Sequence, residues 1–404
     1  MPRVVVVGAS LAGFNAAGEI RRGDPDLELT IVGAEPHRPY DRPPLSKDYL
    51  QGTTESGALA LRGAAEPDSL GATWRLGVSA TGLRLTDDGA HVQLDDGTEL
   101  AADGVVIATG SRARTLPGPQ PAGVVTVRTL DDARWLRDRL AAGPGALLVI
   151  GLGFIGAEVA ATARQAGWEV AVVEAAATPL SRVLDPRTGP VIADLHRAHG
   201  VDVRLGTTVE RLDGGPDGVE AAVLNDGSRI RCSVVVVGIG AQPVTDWLDD
   251  SGLSIGNGVI ADETTRAAPR VVVAGDVASW PNPWCGGRRI RIEQWDNAIA
   301  MGAHAGRRLL AELAGQPGAS FAPVPWFWSD QYQRKFQLAG LTSERTEVLH
   351  GSLTEPQFVV LYLDADDNPI GVLCSNRPRQ AIQGRMALAE HADKAAIIAR
   401  LRGV

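Results

Sequence analysis

Residues 147–163 read LLVIGLGFIGAEVAATA: an apolar run, a glycine-rich turn and an alanine-rich segment, in the order strand, tight turn, helix. Gly151, Gly153 and Gly156 satisfy G-x-G-x-x-G. The first glycine allows the tight turn, the second lets a pyrophosphate approach the backbone, and the third permits close helix packing. A lone glycine motif serves packing as readily as ligand binding, so the flanking elements decide. A second apolar run, EVAVVE, ends at Glu174, 23 residues after Gly151 and near the interval expected for a ribose ligand. Glu174 should bond ribose hydroxyls and repel a 2′-phosphate. Ala175, Ala176 and Ala177 offer no cation to receive one, so NADH is expected over NADPH.

The pattern occurs twice. Arg3–Gly18, RVVVVGASLAGFNAAG, has the same strand–turn–helix order, and ELTIVGAE follows it to Glu35, 27 residues after Gly8. Here Ser10 replaces the middle glycine between Gly8 and Gly13, adding a hydroxymethyl group where a phosphate must come close. The repetition continues, because residues 94–110 (LDDGTELAADGVVIATG) align without a gap on 224–240 (LNDGSRIRCSVVVVGIG) at a constant offset of 130. A third strand–glycine unit, RVVVAGD at 270–276, lacks its own glycine motif and is expected to complete the first domain. From about Pro323 the texture changes to short β-rich runs, then a helix near Ala381–His391. The expected fold is α/β. Two Rossmann-like domains, 1–112 with 243–322 and 113–242, are followed by a small α+β domain with an antiparallel sheet at 323–404. Two nucleotide halves imply two dinucleotides, most economically a tightly held FAD and a diffusible nicotinamide.

Composition excludes other classes. The 404 residues are 44% hydrophobic and 22% charged, ordinary globular values, with a formal net charge of −9. That charge argues against a nucleic-acid binder, which needs a concentrated basic surface. The start has too short an apolar run for a signal peptide, and no stretch approaches a membrane span. Cys232, Cys285 and Cys374 are too few and scattered for a disulfide framework, a CxxC pair or a cysteine-rich metal site. A cytoplasmic protein without a metal centre is expected.

Longer matches sharpen this. VVVVGASLAG, Tyr40–Lys47 (YDRPPLSK), ATG at 108–110, Val127–Ala133 (VRTLDDA), GFIGAE at 153–158, AGD at 274–276, IEQWDNA at 292–298 and Trp326–Tyr332 (WFWSDQY) occur in this order. With them the chain resembles the FAD-dependent NADH:ferredoxin reductases of bacterial oxygenase systems, the putidaredoxin reductase type, within the glutathione-reductase-like fold. The resemblance implies that Gly8, Ser10, Leu11, Ala12 and Gly13 cradle the FAD pyrophosphate, with Glu35 on its ribose. Arg42, Lys47, Arg128, Asp276 and Trp295 would contact the rest of FAD, and Val78 its adenine side. Thr109 and Gly110 would end the strand beneath it. Gly151, Gly153, Phe154, Ile155, Gly156, Glu158, Glu174 and Gly240 would serve NADH.

The same resemblance makes Lys47 and Glu158 the expected catalytic residues, brought together near flavin N5. A lysine there favours the reduced flavin, and its carboxylate partner keeps it charged and oriented. From local sequence alone, Lys47 would be a solvated turn lysine and Glu158 a residue suited to the helix dipole. Trp295 and Trp328 are expected against the isoalloxazine; core packing is the plainer role for the other tryptophans between 280 and 328. Arg288, Arg289, Arg291, Arg334 and Lys335 put positive charge beside these segments in an acidic chain. They are candidates for docking an acidic iron–sulfur ferredoxin, of 2Fe–2S or other low-potential type, although clustered arginines are commonly just solvated. Related disulfide and peroxide reductases need a thiol beside the flavin, yet Arg42–Lys47 carries no sulfur, so electrons are expected to leave from the flavin itself. The ferredoxin would feed a monooxygenase or dioxygenase, and the chain is expected to be a monomer or weak dimer. An NADH oxidase, a rubredoxin reductase or a flavin-bearing NADH-sensing interaction protein remain alternatives on this scaffold.

Overall fold

Val4, Val5, Val6 and Val7 are all buried, which is why Arg3–Val7 lacks the alternation of a half-exposed strand and sits centrally in a parallel sheet. The structure, a computed structural model, describes residues 1–61 and 67–403. It divides into two units. The first comprises Met1–Asp41, Leu59–Arg112 and Gln242–Val324, and the second Arg42–Ala58, Ala113–Ala241 and Pro325–Val404. The PPLSK segment thus groups with the second unit.

In the first unit six strands run in the order Arg266–Ala268, Val271–Val273, Gly104–Ile107, Arg3–Val7, Glu28–Gly33, Thr73–Leu76. All pair in parallel except the outermost, Arg266–Ala268. Strand order reverses at Arg3–Val7, which makes its carboxyl end a topological switch point, where such sheets bind ligands. The helix Leu11–Gly23 follows directly. It packs against Trp295–Leu313 so closely that a Cβ on Gly302 would lie 2.3 Å from the Ala12 carbonyl oxygen. Small residues on both helices permit that approach.

The second unit repeats the plan with Asp202–Leu205, Glu169–Glu174, Ala146–Ile150, Val234–Val237 and Val124–Val125, all parallel. Val234–Val237 lies beside Ala146–Ile150 as Gly104–Ile107 lies beside Arg3–Val7, so the 130-residue sequence offset is also a structural repeat. An antiparallel three-stranded sheet precedes each of these returning strands, Ala80–Ala102 in the first unit and Val209–Arg231 in the second.

The unit also holds a five-stranded antiparallel sheet in the order Trp326–Gln331, Arg334–Gly340, Pro369–Ser375, Phe358–Leu363, Thr346–Gly351. Helices Pro378–Ala389 and Lys394–Arg402 follow. The first helix starts three residues before the sequence-based position because Pro378, with its preset φ, occupies the first turn. The fold is therefore α/β with an antiparallel C-terminal sheet. Among the described residues no helix is long and apolar enough to cross a membrane.

Candidate functional site

Each glycine loop is built by backbone sterics. In the first unit Gly8 has φ +119°, and a Cβ there would lie 2.1 Å from the Ala108 carbonyl oxygen. A Cβ on Gly13 would lie 1.8 Å from the Gly8 carbonyl oxygen. Both positions exclude any side chain. Ser10, at φ −97°, needs no glycine conformation; it is the N-cap of Leu11–Gly23, and its side chain does not cap the helix. The first turn carries no acidic residue and the last carries Arg21 and Arg22, so the positive pole of the helix dipole is left uncompensated by acids and suits an anion.

The expected FAD residues of this unit surround that turn. Gly275, next to Asp276, is close enough to Ala12 that its Cβ would lie 2.8 Å from the alanine methyl. Asp276 accepts from Ser111 Oγ at 2.9 Å, and its carbonyl accepts from Arg291. Thr109 donates to the Val244 carbonyl at 2.8 Å, beside Gly110. Trp295, 36% exposed, donates its indole N–H to Asp41 at 2.8 Å. Glu35 accepts from the Tyr40 hydroxyl at 2.5 Å, and Val78 is tied to the same loop through the Gly33 carbonyl.

In the second unit Gly151 (φ +97°) and Gly156 are likewise closed to side chains, their Cβ positions lying 2.5 and 2.1 Å from carbonyl oxygens. Gly153 differs. Its φ is −79°, and a Cβ would find nothing nearer than the Gly238 carbonyl oxygen at 3.8 Å. Neither backbone conformation nor packing demands a glycine there, which leaves room for a close approach to the backbone. Gly153 is the N-cap of Phe154–Gln165, whose first turn has no acid. Glu174 accepts from the Leu152 N–H at 2.7 Å and the Ala176 N–H at 2.8 Å. Ile155 is 42% exposed, while Phe154 packs its ring 4.3 Å from that of Phe327. Gly240, φ +100°, ends the stretch after Val234–Val237 with open space at its Cβ position. The acid-free helix N-termini after both glycine loops, with the open space at Gly153 and Gly240 in the second, fit the two diphosphates of FAD and NADH.

Lys47 follows the 3-10 turn Pro43–Ser46, and its Nζ lies 2.8 Å from Glu158 Oε2, with side-chain exposures of 14% and 3%. Lys47 Nζ also donates to the Pro43 carbonyl at 3.1 Å. Arg42 donates to the Arg128 carbonyl at 2.5 Å, anchoring the turn beside the capping box formed by Thr129 and Asp132. Two further hydroxyls reach Glu158, those of Ser46 and Ser329. Sequence reasoning did not single them out, and their only signal was membership of the PPLSK and FWSDQY motifs.

The basic residues are engaged with their surroundings. Arg289 donates to the Ala261 and Ser279 carbonyls, Arg291 pairs with Glu293, and Arg334 bonds the Glu355 carbonyl and lies over the Phe336 and Phe358 rings. Lys335 pairs with Asp330 at 3.1 Å, and Arg288 is exposed. Arg288, Arg289 and Arg291 belong to the first unit and Arg334 and Lys335 to the second. All three cysteines are free thiols, with Cys232 pushed up by burial to about 11 and Cys374 to about 12.

Two switch-point sheets, each followed by a glycine loop and a helix whose first turn carries no acid, fit a scaffold for two dinucleotides. The chain belongs to the pyridine nucleotide-disulphide oxidoreductase family, whose model matches residues 2–302; a reductase C-terminal model matches residues 326–399. It is 37% identical over 390 residues to rhodocoxin reductase of Rhodococcus erythropolis, covering 96% of this chain and 89% of that one. It is 38% identical to the anthranilate 1,2-dioxygenase system ferredoxin–NAD(+) reductase component of Burkholderia cepacia, covering 95% and 93%. Among solved structures, the reductase chain of the covalent putidaredoxin reductase–putidaredoxin complex matches with a TM-score of 0.89 at 32% identity, covering 100% of this chain and 98% of that one.

Proposed function

We propose that this chain is an NADH-dependent, FAD-containing ferredoxin reductase that supplies electrons to an oxygenase system. FAD held by these residues would supply hydride acceptance from NADH and single-electron transfer to an iron–sulfur ferredoxin. The protein's part is binding, orientation and charge. The first-unit helix N-terminus, with Gly8, Ser10, Leu11, Ala12 and Gly13, receives the FAD pyrophosphate; Glu35 takes its ribose, Val78 its adenine side, and Arg42, Arg128, Thr109, Gly110, Asp276 and Trp295 the remainder. Gly151, Gly153, Phe154, Ile155, Gly156, Glu174 and Gly240 receive NADH.

The observation that carries this reading is the Lys47–Glu158 pair, its carboxylate buried and its ammonium partly so, with no sulfur in the Arg42–Lys47 segment. It holds a positive charge ready for the negative charge that reduction adds, so a thiol relay is not required. Arg288, Arg289, Arg291, Arg334 and Lys335 offer cations to an acidic ferredoxin, because a guanidinium that bonds carbonyls keeps its charge. Cys232, Cys285 and Cys374, all free thiols, suit a reducing, cytoplasmic setting.

The test is a visible spectrum of the purified protein, then NADH titration and turnover with oxygen alone or with added 2Fe–2S ferredoxin. A yellow protein bleached by NADH and strongly stimulated by ferredoxin is expected. A colourless protein that resists reconstitution, or NADH consumption indifferent to ferredoxin, refutes the reading.

A further inference from the structure

Three donors converge on Glu158. Its Oε2 accepts from Ser46 Oγ at 2.6 Å and Lys47 Nζ at 2.8 Å, and its Oε1 from Ser329 Oγ at 2.7 Å. Ser46 is 1% exposed and Ser329 0%. A serine hydroxyl has one proton, and Ser329 already accepts from Gln331 Nε2 at 3.1 Å, so that proton is committed to Glu158. The Ser46 carbonyl accepts from Thr162 Oγ1 at 3.0 Å. Thr162 lies four residues beyond Glu158 on the same helix face, so Ser46 is gripped at two points. With Oε1 pinned by the strand Trp326–Gln331, the carboxylate cannot turn without breaking a buried bond, and Oε2 stays aimed at the lysine.

We propose that Ser46 and Ser329 are positioning residues that hold the Lys47 ammonium in place through the Glu158 carboxylate. The C-terminal sheet, which contributes Ser329, thereby sets the geometry of the reducing site. That catalytic meaning rests on the function proposed above.

The chain has three lysines, Lys47, Lys335 and Lys394, so limited acetic anhydride labelling of the holoenzyme, read by peptide mass, follows all of them at once. In Ser329→Ala and Ser46→Ala, Lys47 labelling should rise severalfold relative to Lys394. Ser329→Thr, which keeps the hydroxyl, should restore the wild-type ratio. Lys335 is the internal control, because its partner Asp330 at 3.1 Å adjoins Ser329 and a disordered strand would release it too. Flavin reduction by NADH should slow about tenfold in the alanine variants, the weight of one hydrogen bond to a charged group. Unchanged Lys47 labelling, or Lys335 rising together with Lys47, overturns the proposal. Faster Lys47 labelling with wild-type flavin reduction upholds the positioning and instead overturns the role given to the ion pair in the reaction.

Discussion

Glu174 accepts the backbone N–H of Leu152 at 2.7 Å, so the acid that ends one strand is fastened to the glycine loop that ends its neighbour. Its other oxygen takes the Ala176 N–H at 2.8 Å. A carboxylate has about four acceptor positions, so two are left for ribose hydroxyls. One side chain thus shapes the loop and keeps acceptor positions for the ribose role proposed for it.

Glu174→Ala removes both the repulsion of a 2′-phosphate and the acceptor for the loop. The ratio of kcat/KM for NADH over NADPH is expected to fall about tenfold, the effect of about 1.4 kcal/mol. Steady-state kinetics with both nucleotides measures it; an unaltered ratio removes Glu174 from specificity.

Gly8→Ala and Gly153→Ala should behave oppositely. The first places a methyl 2.1 Å from a carbonyl oxygen at φ +119° and is expected to cost more than about 3 kcal/mol of stability. The second meets nothing nearer than 3.8 Å at φ −79° and should leave the melting temperature nearly unchanged while raising the KM for NADH about tenfold. Thermal melts paired with NADH titration separate the two. A Gly153→Ala variant with normal KM shows that no phosphate approaches there.

Lys47→Ala strands the Glu158 carboxylate, 3% exposed, without its cation. Removing one partner of a buried pair costs about 3 kcal/mol. The variant should therefore lose stability as well as slow flavin reduction or bind FAD more weakly. Stopped-flow reduction at the wild-type rate with full FAD occupancy excludes the role given to Lys47.

Burial pushes His196 down to about 4, and its Nδ1 lies 3.1 Å from the Tyr332 hydroxyl. The unfolded chain binds this proton below about 6.5, the folded chain only below about 4. The histidine's contribution is thus complete above about pH 6.5 and is lost as pH falls toward 4, about 3 kcal/mol in all. Urea midpoints recorded across this window should fall less steeply for His196→Asn than for the wild type. Parallel slopes contradict the assignment.

Both glycine loops, the 130-residue repeat and the change to β-rich texture near the C-terminus were legible in the sequence because they express short-range physics. Gly8 and Gly151 announce positive φ, unbroken valine runs announce strands buried on both faces, and Glu35 and Glu174 follow their glycines at a nucleotide-binding interval. The Lys47–Glu158 pair was legible only through whole motifs, since nothing near either residue in sequence marks the other. Ser329 lies 171 residues from Glu158 and Ser111 lies 165 from Asp276. Likewise, the Arg289 bonds to the Ala261 and Ser279 carbonyls leave no periodic trace. Local sterics and hydrogen-bonding period are carried by neighbours along the chain, so the sequence by itself determined the elements and their glycine hinges. Which donor meets which carboxylate across a packed interior depends on how whole elements stack, and only the tertiary structure decided that.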